Sequence, residues 1–219
     1  MLPVSNVKVV IEELKKVGFT NSNLIIGILA CVAKESGFVP KEENLNYTSI
    51  DRLITVYPSF FKGKPEEEVL PYLKNPEKLA NLVYGGRYGN NDSSSGDGFL
   101  YRGRGFNQIT FKDIYKKYGD LVGVDLVSHP EKLNEVPVAA KVCAKFFQNA
   151  FKSGLKTLIN RYGISNPNDI KDALTGLKIA VNANAGWGKD TRNSFTEKAA
   201  LERLNDVTKT YNQIGRAHV

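Results

Sequence analysis

The feature that most constrains this chain is the apolar run Leu24–Ala33, in which no side chain is charged. A helix that is apolar on every side is buried, so we predict a central helix over Asn23–Lys34. The run of ten residues is too short to cross a bilayer, which takes about 20. Ser36 and Gly37 follow as a helix stop, so Glu35 places a carboxyl group at the end of a buried helix.

Helical spacing recurs along the chain and predicts a mainly α fold. A first helix has Ser5 as its expected N-cap and Gly18 as its stop. Its apolar face consists of Val7, Val10, Leu14 and Val17. Further helices are predicted near residues 50–57, 65–73, 76–85, 111–118, 138–151, 168–181 and 191–211.

Two segments resist a helix: residues 36–48, which hold Gly37, Pro40, Asn44 and Asn46, and the glycine-rich residues 85–107. Leu100–Arg102 and Asn107–Thr110 could pair as a small β-hairpin, and we expect no larger sheet. Thr110 with Asp113 resembles a capping pair for the helix that follows. Since no repeat or linker stands out, we expect one domain over residues 1–215, with 216–219 as a disordered tail or a remnant of expression.

The cysteine and histidine content gives little reason to expect a metal site, and we expect no cofactor. Cys31 and Cys143 lie in apolar helical patterns and are expected to be buried free thiols, rather than a disulfide or a metal pair. Two histidines and no CxxC motif make a zinc site unexpected. Asp92 and Asp97 suggest calcium, but their spacing is not that of an EF-hand, and we expect Asp97 to fix its own loop.

The carboxyl group of Glu35 is placed for acid catalysis. The negative end of a helix dipole and apolar neighbours both raise the pKa of a carboxyl group. A glutamic acid that keeps its proton near neutral pH can protonate a leaving oxygen. The alternative is an exposed glutamate at a helix end, paired with Lys34 or Lys41, and the residues alone leave both interpretations open.

Hydrolysis of a glycosidic bond needs a second carboxylate, which in inverting enzymes stands roughly 6.5–9.5 Å from the acid. Glu42 and Glu43 follow Glu35 in an irregular segment that could fold back towards it. Thr48 and Ser49 come next, with hydroxyl groups that could position a water molecule. Two glutamates in a loop are common, so this pairing is weak evidence alone.

The segment GDGFLYRGRGFNQIT, residues 96–110, combines glycines, an aromatic residue, arginines, an amide and a hydroxyl group. Glycines allow a ligand close to the backbone, and the polar side chains suit the hydrogen-bonding edges of a sugar. The alternative is a fragment of an RGG-type nucleic-acid segment. A single copy flanked by folded sequence disfavours that alternative.

Four blocks in order resemble glycoside hydrolase family 19, and within it the compact phage endolysins: AKESGF…EENLNYTS, NPEKLANLVYGGRYGN, SGDGFLYRGRGFNQIT and VNANAGWGKDTR. The similarity covers about residues 19–200. It implies a two-lobed, mainly α, lysozyme-like domain with a sugar cleft between the lobes. It also implies Glu35 as proton donor, Glu43 as the second acidic residue and Thr48 as the nearby hydroxyl. Residues matching the substrate-binding positions are Tyr101, Arg102, Gln108, Thr110, Asn182 and Arg192.

The chain departs from the pattern of the family at several places. One glycine fewer follows Glu35 than in the endolysins, which could shift the alignment by one residue. Glu42 therefore remains an alternative to Glu43 for the role of base. Ile114 stands where relatives carry an asparagine, and Ala183 and Asn184 replace a pair of glycines. Three further residues are expected to be structural, although they could contact a sugar: Trp187, and Tyr84 with Arg87 as a buried pair.

The sequence thus predicts a glycosidase of the endolysin type that cleaves β-1,4 bonds of peptidoglycan by acid and base catalysis. The alternatives are a chitinase of the same fold and a non-catalytic wall-binding or phage structural module. The net charge of +7 favours polyanions, which include wall polymers but also nucleic acid and anionic membranes. We expect a phage or bacterial monomer without nucleic-acid partner, signal peptide or integral membrane segment, which is made in the cytoplasm and acts on the cell wall.

Overall fold

The computed structural model describes residues 2–188, 191 and 194–216. Across these residues the regular structure is helical, and the β-structure is limited to one isolated antiparallel bridge between Arg104 and Ile109. The prediction of a mainly α fold is confirmed. The predicted hairpin is reduced to that bridge, because Gln108, inside the second predicted segment, adopts a left-handed φ of 53°.

The predicted helices are present, with additional short ones between the second and the long ninth. Helices α1 to α11 span Val4–Lys16, Ser22–Ser36, Ile50–Val56, Pro58–Phe61, Glu66–Val69, Pro76–Tyr84, Asp97–Leu100, Lys112–Val122, Val136–Tyr162, Ala173–Asn184 and Phe195–Arg216. Short 3-10 helices span Leu70–Tyr72, Pro130–Asn134 and Pro167–Asp169.

The chain divides into two compact units. Unit 1 consists of Met1–Lys41, Gly105–Asn107 and Leu133–Val219. Unit 2 consists of Glu42–Arg104 and Gln108–Lys132. The prediction of one domain over residues 1–215 stays a prediction, and residues 217–219 of the expected tail lie outside the described residues.

Unit 1 is built on α2, the helix predicted from the apolar run. Asn21 caps it by accepting a hydrogen bond from the Leu24 amide at 3.0 Å, and Gly37 ends it in the left-handed conformation with φ 61°. Its backbone packs directly on α10, since a Cβ placed on Gly27 would lie 2.2 Å from the carbonyl carbon of Gly176. Two glycines therefore set the closest approach of these two helices.

Both cysteines are buried free thiols in unit 1, as predicted. Burial, followed by the nearby charge of Glu35, raises the pKa of Cys31 to about 12. Burial also raises the pKa of Cys143. In the described part of the chain, no cluster of three or more histidine, cysteine or acidic side chains could hold a metal ion, and no helix is long and apolar enough to span a membrane.

Unit 2 has its own apolar core beneath the short helices α3 to α7. Phe61 anchors it at 1% exposure, and the ring of Tyr72 packs edge-on against Phe61 at 5.2 Å. The core residues are Leu45, Leu53, Phe61, Val69, Leu79, Ala80 and Val83.

Two predicted caps are wrong. Helix α1 begins at Val4 rather than after Ser5, because the carbonyl of Pro3 already accepts the amides of Asn6 and Val7 at 3.0 and 3.1 Å. Helix α8 follows Phe111, and the Thr110 hydroxyl instead donates to the Gln108 carbonyl at 3.1 Å. The prediction for Asp97 is confirmed, since its Oδ2 accepts hydrogen bonds from the backbone and side-chain amides of Asn91 and from Nζ of Lys112.

Candidate active site

The carboxylate of Glu43 is held by a tyrosine and by the glycine-rich segment. The Tyr84 hydroxyl lies 2.8 Å from Oε1 and 2.9 Å from Oε2 of Glu43. The Glu43 backbone amide donates to the Gly103 carbonyl at 2.7 Å, and the Gly103 amide donates to Oε2 at 3.4 Å. Both the backbone and the side chain of Glu43 are therefore fixed within unit 2.

Tyr84 is the last residue of α6 and is held on its other side by aromatic packing. Its ring contacts Phe111 edge-on, with the centroids 5.4 Å apart. Burial raises the pKa of Tyr84, and the charge of Glu43 together with the hydrogen bond to it raises the pKa further. The hydroxyl therefore keeps its proton at neutral pH and acts as the donor to the carboxylate.

A second tyrosine continues this network away from Glu43. Burial, followed by a hydrogen bond with Tyr47, raises the pKa of Tyr57. Tyr57 also interacts with the Tyr84 side chain, and the Tyr47 and Tyr57 rings meet edge-on at 5.7 Å. Three tyrosines thus support one side of Glu43.

The expectation that Tyr84 and Arg87 form a buried pair is wrong. Tyr84 binds Glu43, while Arg87 is exposed. The Arg87 guanidinium donates to the Val83 carbonyl at 3.0 Å and lies 5.2 Å from the centre of the Phe111 ring. Tyr84 is the functional residue that sequence reasoning missed, because nothing in its spacing links it to a glutamate 41 residues away.

Gly103 leaves room for two polar side chains. A Cβ at this position would lie 3.0 Å from Oε1 of Gln108, and 3.3 and 3.4 Å from Cβ and Oε2 of Glu43. The structure thus brings together Glu43 and Gln108, which the sequence motifs placed in one site. Each of the two side chains also offers an oxygen acceptor to a bound water or hydroxyl group.

Glu42 has a different environment from that of its neighbour. Its Oε1 accepts from Nε of Arg104 at 2.8 Å, and its Oε2 is paired with Arg102. Arg104 is only 4% exposed and also donates to the Tyr115 hydroxyl at 3.0 Å. Two guanidinium groups therefore compensate the charge of Glu42, whereas the described partners of Glu43 include no cation.

Among the predicted sugar-binding residues, Tyr101 and Arg102 are engaged inside unit 2. Tyr101 is 3% exposed, and its hydroxyl donates to the Val127 carbonyl at 3.0 Å. The role of Tyr101 as a substrate-binding residue stays a prediction. Arg102 stacks on Phe99, with its guanidinium carbon 3.9 Å from the ring centre, and pairs with Glu42. Thr110 and Gln108 are half-buried, whereas Thr48 is exposed just before α3.

Glu35 lies in unit 1, in the last turn of α2. Its side chain is 24% exposed, and Oε1 accepts from Nζ of Lys34 at 2.9 Å. The lysine pairing that the sequence left as an alternative is thus present. The surrounding helix is almost wholly buried, so the position of the backbone at Glu35 is fixed by the core.

The late motif of the sequence also lies in unit 1. Asn182 is fully buried and accepts a hydrogen bond from Arg161, so its side chain serves the interior rather than an open surface. Trp187 is 7% exposed and donates to the Ala150 carbonyl at 2.7 Å, in agreement with its expected structural role. Arg192 lies outside the described residues.

The structure is that of a helical protein in which Glu42 and Glu43 of unit 2 are held differently by the glycine-rich segment. Among curated proteins, the chain is similar to a glycosyl hydrolase family 19 domain-containing protein of Haemophilus influenzae. The two are 36% identical over 115 residues, which cover 52% of this chain and 56% of that relative. The chain thus matches just over half the length of the relative, and the predicted resemblance to glycoside hydrolase family 19 is confirmed.

No family model matches the chain. Two solved structures of chitinase C align with 95% of the chain and 69% of their own length, one of a mutant and one of the enzyme from Streptomyces griseus. They are 14% and 16% identical to it, with TM-scores of 0.44 and 0.43.

Proposed function

We propose that the chain is a glycoside hydrolase that cleaves a β-1,4-linked polysaccharide, with Glu43 as the base and Glu35 as the acid. The observation that carries this proposal is the environment of Glu43. Its described partners are a tyrosine hydroxyl and backbone groups of Gly103, and none of them is a cation. The Glu43 carboxylate is thus held in a fixed place without a paired cation, which suits a group that activates a water molecule.

The reaction follows from two proton transfers. Glu43 accepts a proton from a water molecule, whose oxygen attacks the anomeric carbon. Glu35 gives its proton to the glycosidic oxygen as that bond breaks, so the leaving sugar departs as an alcohol. Attack from the face opposite to the leaving group inverts the configuration at the anomeric carbon.

Tyr84 acts through Glu43 and is a positioning residue. One hydroxyl shared between both carboxylate oxygens holds the plane of the carboxylate without neutralising it. Gln108, which also lies against Gly103, is placed to accept a hydrogen bond from the attacking water or from a sugar hydroxyl. Glu42 is excluded as the base in this scheme because two arginines bind its carboxylate.

The proposed substrate is bacterial peptidoglycan, and the proposed role is that of a phage or bacterial lytic enzyme. The resemblance to the compact endolysins supports this choice. The charge of +7 supports it too, because the bacterial wall is polyanionic.

Digestion of purified peptidoglycan and of chitin, followed by identification of the new reducing-end sugar, tests the proposal. We expect release of reducing ends from peptidoglycan by the native chain and none by Glu43→Gln. Cleavage of chitin alone would show that chitin, rather than peptidoglycan, is the substrate. Cleavage of neither polysaccharide by the folded chain would contradict hydrolase activity.

A further inference from the structure

A groove that the proposed reaction does not use crosses unit 2. It consists of two adjoining cavities of about 420 and 430 Å³, which share Tyr72, Lys78 and Leu82. We call it the Tyr72 groove. Each cavity has the size typical of small-ligand sites, about 300–1,000 Å³. None of the predicted catalytic or sugar-binding residues lines it.

The ring of Tyr72 forms a rigid platform where the two cavities meet. It packs edge-on against the buried Phe61 at 5.2 Å, which restrains its orientation. Nζ of Lys78 lies 5.0 Å from the centre of the ring. A fixed aromatic ring with a polar group beside it offers both an apolar face and hydrogen-bonding atoms to one ligand.

Two asparagines supply oriented donors next to this ring. Oδ1 of Asn75 accepts from the Lys78 amide at 3.1 Å, and Oδ1 of Asn81 accepts from the Phe99 amide at 2.8 Å. These bonds fix the two carboxamides. Among the described hydrogen bonds neither Nδ2 group is a donor, so both remain for a ligand.

The charges along the groove balance. Lys64 and Glu68 form an ion pair at 3.2 Å, and the remaining charged side chains are Lys78 and Glu77. The Tyr72 groove therefore has no net charge, in contrast to the chain as a whole at +7. An uncharged ligand with hydroxyl and amide groups fits this surface better than a polyanion.

Helix α6 connects the groove with Glu43. Lys78, Asn81 and Tyr84 are spaced three residues apart and form one row along the helix. The first two line the groove, and the third binds Glu43. A ligand in the groove is thus held by the same helix that positions the proposed base.

We propose that the Tyr72 groove is a second glycan-binding site, which takes an uncharged, N-acetylated β-1,4-linked saccharide. The identity of the ligand rests on the proposed function. A second site on one chain raises the effective concentration of a long polysaccharide at the first site.

The test is an NMR titration of the isotope-labelled full chain carrying Glu43→Gln with the hexamer of N-acetylglucosamine. We expect amide shifts around Tyr72, Lys78 and Leu82. Tyr72→Ala should weaken binding in the groove by at least about fivefold, which corresponds to about 1 kcal/mol, and Tyr72→Phe should restore it. Because Tyr72 packs on Phe61, Lys78→Ala serves as a second, solvent-exposed variant with the same expected direction.

Lys62→Ala is the matched control, since Lys62 is an exposed lysine of the same unit that does not line the groove. Equal binding by the Lys78→Ala and Lys62→Ala variants would overturn the inference. So would shifts confined to residues around Glu43, or no shifts at all, even if the native chain hydrolyses its substrate. Groove shifts in a chain without hydrolase activity would support the groove and contradict the proposed function.

Discussion

The Tyr84 hydroxyl is shared almost equally between the two carboxylate oxygens of Glu43, at 2.8 and 2.9 Å. One donor therefore restrains both oxygens. The adjacent glutamate, Glu42, is instead bound by two arginines. Two neighbouring residues of the same type thus have opposite environments, one suited to accepting a proton and the other to holding the loop.

Tyr84→Phe is expected to lower kcat by about tenfold or more with little change in KM, since hydrogen bonds to charged groups contribute about 1.5–3 kcal/mol. The ring and its contact with Phe111 are retained. Tyr88→Phe is the control, since Tyr88 is 63% exposed. Unchanged kcat in folded Tyr84→Phe would contradict the positioning role.

Glu35→Gln should lower turnover by at least about two orders of magnitude, the usual scale for loss of general acid catalysis. The fold should persist, because the side chain is partly exposed and its one described ion pair is with the adjacent Lys34. Steady-state rates on peptidoglycan and a thermal melt check both expectations. Glu202→Gln, at an exposed glutamate of α11, controls for the change of charge. Near-native turnover of folded Glu35→Gln would reject the assignment of the acid.

Gly27→Ala is expected to destabilise the chain by about 1–3 kcal/mol or more, the cost of overpacking a core. The added methyl group would meet the backbone of α10 at 2.2 Å, so the helices must separate. Gly215→Ala adds the same methyl group to α11, where no atom lies within 4 Å. Chemical denaturation of both variants measures the difference, and equal stability would contradict the close contact of α2 and α10.

Raising the salt concentration should weaken binding to intact walls but hardly change cleavage of a short, uncharged oligosaccharide. Exposed charges further apart than a Debye length, about 8 Å at 0.15 M salt, are largely screened. Wall binding should therefore fall between roughly 0.05 and 0.5 M salt if the +7 charge holds the enzyme on an anionic surface. Wall binding that does not depend on salt would contradict the proposal that the basic charge holds the enzyme on the wall.

The sequence was most informative where one local property decides the structure. The run Leu24–Ala33 is apolar on every side, and the helix it predicts is present with its Gly37 stop. The surroundings of Glu43 were harder to predict from the sequence, because Tyr84 and Gly103 are distant from Glu43 along the chain and contact it only in the folded structure. Residue type alone also did not separate Glu42 from Glu43, since the difference lies in which of them the two arginines bind.

Two residues of the predicted sugar-binding set are engaged in the interior of their units. Tyr101 belongs to the motif that suggested a sugar site, yet its ring packs against Tyr115 at 5.4 Å and its hydroxyl is used inside unit 2. The buried Asn182 is likewise engaged, by Arg161. A motif identifies residues that lie near one site. It does not distinguish a side chain that lines the site from a buried side chain that packs next to it.

The central claim, that Glu43 activates water for an inverting attack, is tested most directly by ¹H NMR of the first product released from a β-linked glycan. We predict the α-anomer before mutarotation, because water attacks the face opposite to the leaving group. Folded Glu43→Gln run in parallel should give no product, which ties the signal to this residue. An initial β-anomer from the native chain would contradict the inverting mechanism, since it would show that the configuration at the anomeric carbon is retained.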